Sequence, residues 1–94
     1  MDRRNRIEAR LRAELSASHV DVADESHLHA GHAGAASGGG YFRATIVSDR
    51  FAGLSRVARQ RLVYGVLAAE MSSEIHALAM RTLTPEEWAT GRAD

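Results

Sequence analysis

Between Ala30 and Gly40 the chain has almost no side chain large enough to bury: Gly31, Gly34, Gly38, Gly39 and Gly40 alternate with alanines, one histidine and one serine. A stretch of this kind cannot join a hydrophobic core, so it reads as a loop across which any fold must close. On its N-terminal side, His19-Val20-Asp21-Val22-Ala23-Asp24 alternates apolar and polar residues with the period of a half-buried strand. On its C-terminal side, Tyr41 to Ser48 is rich in aromatic and β-branched residues, which again predicts a strand. Two strands with only a loop between them pair most simply antiparallel.

The flanking segments read as helices and one more strand. Over residues 2–15, Ile7, Leu11 and Leu15 recur every fourth position, with Ala9 and Ala13 between and Arg or Glu outside. One face is apolar and the other charged, which predicts a surface helix packed against Val20 and Val22 and ending near Ser16-Ala17-Ser18. Glu8 and Arg12 form an i,i+4 pair worth ~0.3 kcal/mol. After a turn at Asp49–Gly53, Ser55 is the expected N-cap of a helix reaching Met71. Val57, Leu62, Val63, Val66, Leu67 and Ala69 mark its apolar stripe, with a break expected near Arg59-Gln60-Arg61. Residues 75–82 alternate, with Ile75, Ala77 and Ala79 on one side and His76, Leu78 and Met80 on the other, as in a strand covered on both faces. Thr84-Pro85-Glu86-Glu87 then has the N-cap, N1 and N3 residues of a capping box, and Trp88 would anchor this last short helix to the sheet. The order is α-β-β-α-β-α with the central helix broken in two. It predicts one α+β domain over residues 1–94, a three-stranded sheet with helices on one face.

Composition narrows the function. With 94 residues there is room for one core, and a hydrophobic fraction of 45% is that of a folded domain. Twelve basic residues, all Arg, balance twelve acidic ones, so the chain lacks the basic excess of a protein that holds nucleic acid by phosphate neutralisation. Arg56, Arg59 and Arg61 still form a local cluster, which reads either as a solvated helix face or as a contact for phosphates or a carboxylate. There is no cysteine, hence no disulfide, no thiolate nucleophile and no all-protein cysteine metal site. No apolar run approaches the ~20 residues of a membrane span, and the charged start leads into an amphipathic pattern rather than a signal-peptide core. The expectation is a soluble cytoplasmic protein.

The residues able to carry chemistry are histidines. His27, His29 and His32 lie within six residues at the end of the first strand, and His76 lies in the apolar run Ile75-His76-Ala77-Leu78. Folding is expected to bring these two places together. Taken alone, His76 reads as an ordinary strand histidine, and the loop histidines as a solvated tract or an incidental zinc or nickel site, including a stand-alone metal module. Asp24 and Glu25 end the strand without an accompanying nucleophile or second base. The glycine run lacks the GK[ST] ending of a phosphate loop. No enzymatic site is read.

Taken in order, Asp24-Glu25-Ser26, His29, Phe42-Arg43, Val47-Ser48, Phe51-x-Gly53, Arg59-x-Arg61-Leu62-Val63-Tyr64, Ile75-His76-Ala77-Leu78 and Thr84-Pro85-Glu86-Glu87-Trp88 resemble the BolA family over about Ile7 to Trp88. The resemblance implies an αββααβα fold similar to the class II KH domain. It implies a non-enzymatic adaptor, monomeric alone and heterodimeric with a monothiol glutaredoxin, in iron–sulfur trafficking or iron regulation. A bridging [2Fe-2S] cluster would take its sulfurs from the glutaredoxin and glutathione. This chain would supply His76 and a loop histidine, best matched by His29, with His32 and His27 as alternates. Histidine ligation gives a weaker, proton-sensitive bond suited to transfer or sensing. The second function the family implies is a DNA-binding transcriptional regulator using the KH-like face. The sequence departs from the family at Gln60, where the middle of Arg-His-Arg is commonly histidine.

Overall fold

The computed structural model describes residues 2–29 and 39–91, with the backbone alone for His29. Its elements are α1 (Arg3–Glu14), β1 (His19–Asp24), β2 (Gly40–Val47), α2 (Arg56–Val66), α3 (Ala68–Ser73), β3 (Ile75–Leu83) and α4 (Pro85–Ala89), with 3-10 turns at Ser26–His29 and Asp49–Phe51. The sheet has the order β1-β2-β3, with β1 antiparallel and β3 parallel to β2. This is the α+β domain with a three-stranded sheet expected from the sequence, but only α1–α3 share one face; the short α4 packs through Trp88 on His19, on the other.

α1 starts at Asp2, whose carboxylate accepts from Asn5 N–H at 2.8 Å. Ile7, Leu11 and Leu15 are fully buried, each worth about 1.5–3 kcal/mol in apolar surface removed from water. Glu8 accepts from Arg4 at 2.8 Å and pairs with Arg12 at 3.6 Å, so the expected i,i+4 pair is shared between two arginines. The chain leaves the helix through Ser16, at φ 48°, and Ser18 N–H bonds Val47 O at 2.9 Å to start the sheet. Buried Ser48 Oγ donates to Leu15 O at 2.6 Å, tying the end of α1 to the end of β2. Val20, Val22, Phe42, Ala44, Ile46, Leu78 and Met80 face α1–α3 from one side of the sheet. Alternation turns Val47 and Leu83 to the other side, where both are fully buried. His19 is on that side too, and Trp88 of α4 stacks on it with ring centroids 4.8 Å apart, the anchor the sequence predicts.

Three other expectations need correction. The central helix breaks at Leu67, not near Arg59–Arg61; Leu67 N–H still bonds Val63 O and Met71 N–H bonds Leu67 O, so this is a kink between α2 and α3. The apolar stripe does not include Val57, which is 54% exposed, nor exposed Ala69. The buried positions are Arg59, Val63, Leu67 and Glu70, a helical repeat whose two ends are charged. Finally, β3 does not alternate strictly. Gly40 pairs with Ile75 but Tyr41 with Ala77, so His76 is an extra residue with no cross-strand partner. This bulge puts Ile75, Leu78 and Met80 in the core together and leaves His76 exposed, separating it from Leu78 and Met80.

Candidate functional site

The site is built around the first two residues of β2. Asp24, at the end of β1, accepts from Ser26 N–H at 2.9 Å, an Asx turn that starts the 3-10 turn carrying His27 and His29. The turn is fastened to β2 twice: Glu25 N–H donates to Tyr41 O at 2.7 Å, and Tyr41 N–H donates to Ser26 Oγ at 3.1 Å. The Ser26 hydroxyl beside Asp24 is the main cause holding its carboxyl below the usual range; burial opposes this, while Ser26 N–H, Arg3 and His27 assist. From the other side, the ring of His76 lies 5.2 Å from that of Tyr41, tilted by 51°. Tyr41 is therefore the common neighbour of the histidine turn and of His76.

Gly40 is needed because the chains crowd here. A Cβ at this position would lie 2.5 Å from Phe42 Cε2 and 3.2 Å from Ser26 Oγ. The Phe42 ring is in the core and cannot swing away freely. Gly40→Ala is expected to cost about 1–3 kcal/mol by overpacking and to disturb the 26–29 turn. Chemical denaturation and the amide shifts of residues 24–29 check this; an unchanged midpoint with unchanged shifts would refute it.

His76 is exposed and its imidazole makes no hydrogen bond with any described residue, so its ring nitrogens are open to an outside ligand. His27 is exposed as well. His29 sits in the turn by its backbone, and His32 lies outside the described residues. Among the described residues no three His, Cys, Asp or Glu side chains converge on a point that could hold a metal ion. This end of the molecule can thus offer imidazole donors, while the rest of a coordination sphere would have to come from elsewhere. Leu28, 65% exposed on the same turn, adds apolar surface beside them.

The arginines separate. Arg56 and Arg61 are exposed on α2, but Arg59 is 8% exposed and fully engaged. Its Nε donates to Leu54 O at 3.0 Å, Nη1 to Thr82 O at 2.9 Å, and Nη1 and Nη2 to the Glu87 carboxylate at 2.6 and 3.1 Å. Arg59 is a structural tie, so neither alternative the sequence reading left open for the cluster, a solvated helix face or a contact for an outside phosphate or carboxylate, describes its guanidinium. Tyr41 and Ser26 are the site residues that reading missed. The Asp-x-Ser spacing of an Asx turn was the available signal for Ser26; nothing local marks Tyr41, which a long-range pairing brings to His76.

The sequence model of BolA-like protein matches residues 11–87. The chain is 44% identical over 85 residues to the DNA-binding transcriptional regulator BolA of Escherichia coli (strain K12), covering 90% of this chain and 78% of that protein. It is 41% identical to SufE-like protein 1 of Arabidopsis thaliana, covering 87% of this chain but 24% of that one. The solved BolA domain of SufE1 from Arabidopsis thaliana superposes with a TM-score of 0.82 at 41% identity, over 93% of this chain and 96% of that domain. A bol-like protein from Babesia bovis gives a TM-score of 0.79 at 41% identity, over 97% and 94% of the two chains. With the family model spanning most of the sequence and close superposition on its solved members, this chain belongs to the BolA-like family.

Proposed function

We propose that this protein is a non-enzymatic cytoplasmic adaptor that binds a monothiol glutaredoxin and shares a bridging [2Fe-2S] cluster with it. The observation that carries the reading is His76: a bulge takes it out of the β2–β3 register, its imidazole exposed and without a hydrogen bond to any described residue, across Tyr41 from the turn bearing His27 and His29. The donor set fits a shared group. A chain without cysteine supplies imidazole only, and the thiolates come from the glutaredoxin and its glutathione. Such a cluster offers electron storage and a labile iron–imidazole bond, suited to handing it on or to sensing iron. His76 provides one ligand, and the loop provides the second, His29 ahead of His32 and His27. The test is visible circular dichroism of a glutathione-ligated [2Fe-2S] glutaredoxin titrated with this protein. A new spectrum saturating at one-to-one supports the reading; no change, in a mixture that still holds its cluster, overturns it.

A second reading, DNA binding, is favoured by the name of the 44% identical Escherichia coli relative and by the exposed pair Arg56 and Arg61 on α2. On this reading duplex affinity falls steeply with salt, and Arg56→Ala with Arg61→Ala reduces the log–log slope by about 2. Salt-independent binding, or none at low salt, removes it.

A further inference from the structure

β3 is an edge strand: among the described residues only β2 pairs with it. Along a strand, successive residues turn their N–H and C=O groups to opposite edges. Leu83 O accepts from Ser48 N–H at 3.0 Å, so residue 83 faces β2. Thr82 faces outward, and its carbonyl is taken by Arg59. The register is regular back to Ala77, so the backbone groups of Met80 and Leu78 face outward as well.

Those two residues floor a groove of about 410 Å³ between β3 and α2. Arg56, Gln60 and Tyr64, one helical turn apart, wall it on one side, and Arg43 and Arg81 of the sheet complete it. Arg43 is paired with Glu25 at 3.2 Å. Arg56 and Arg81 have no carboxylate partner among the described residues. The groove therefore joins strand donors and acceptors to two positive charges with no counter-charge among the described residues.

We propose that this groove takes an extended acidic segment of a partner protein, added to β3 as a fourth strand with its carboxylates against Arg56 and Arg81. A peptide backbone answers both the N–H and the C=O groups of Leu78 and Met80, whereas a phosphate backbone accepts hydrogen bonds without donating any. A second copy of this chain is disfavoured, because edge-to-edge pairing would bring the same arginines together. Arg59, by occupying Thr82 O, ends the available edge and limits the added strand to the Leu78–Met80 stretch, about 7 Å of backbone. The proposal is independent of the histidine site.

The experiment is a titration of ¹⁵N-labelled protein with a capped octapeptide of alternating glutamate and valine, followed by NMR to millimolar peptide. The Leu78 and Met80 amides are expected to shift and gain exchange protection. N-methylation of one alternate set of peptide nitrogens abolishes binding, while methylation of the other set leaves it. Loss of two exposed ion pairs in R56A/R81A weakens binding by about 2- to 30-fold. The proposal is overturned if those amides do not move, if neither methylated peptide is impaired, if they move only with a single-stranded oligonucleotide, or if they shift with protein concentration alone.

Discussion

Arg59→Ala is expected to lower the unfolding free energy by about 3–5 kcal/mol, the cost of stranding one partner of a buried ion pair. The Glu87 side chain is only 18% exposed, and Arg59 is its partner across both carboxylate oxygens. The same guanidinium holds Leu54 O and Thr82 O, so its loss releases four attachments joining α2, β3, α4 and the turn before α2. Against a total stability of about 5–15 kcal/mol this is a large share. Arg59→Lys should recover part of the loss, since one ammonium keeps the charge but cannot span the fork. Urea denaturation of R59A, E87Q and the double variant gives the coupling: the double is expected to cost clearly less than the sum of the singles. Strict additivity, or a cost under 1 kcal/mol for R59A, would show that the tie contributes little.

His76→Ala is expected to have the opposite profile. The side chain is exposed and its residue has no cross-strand partner, so stability should change by no more than about 0.5 kcal/mol. In the glutaredoxin titration, however, the shared-cluster spectrum should be lost altogether, because the chain has no cysteine to replace the imidazole. Single alanine variants of His29, His32 and His27 then identify the loop ligand, with His29→Ala expected to have the largest effect of the three. A full spectrum from H76A would remove His76 from the site and the adaptor reading with it.

Much of the fold was legible because its signals are local. The alternation of His19–Asp24, the cap at Ser55 and the box at Thr84–Glu87 depend on neighbours within four residues, and each stands where the sequence puts it. The central helices were harder. Two of their four innermost positions carry charge, Arg59 and Glu70, and a hydrophobic stripe drawn on apolar residues alone slides off to Val57. These charges are tolerated because partners distant in sequence meet them, Glu87 for Arg59 and Arg10 for Glu70 at 2.8 Å. The kink at Leu67 has no proline, and Gly65 two residues earlier is the nearest local hint. At the candidate site the histidines were visible as residue types, but the exposure of His76 depends on how β3 pairs with Gly40 and Tyr41, which no pattern within β3 records.

The extra residue in β3 also sets the mechanics of that end of the molecule. Elsewhere in the strand a change of backbone angle at one position must be shared by the opposite strand through the hydrogen bonds between them. At His76 nothing opposite has to follow, while Ile75 and Leu78 on either side stay anchored in the core. The histidine thus rides on a compliant joint set in a stiff frame. Its backbone angles can therefore change without a matching change in β2, while the core residues on either side stay in place.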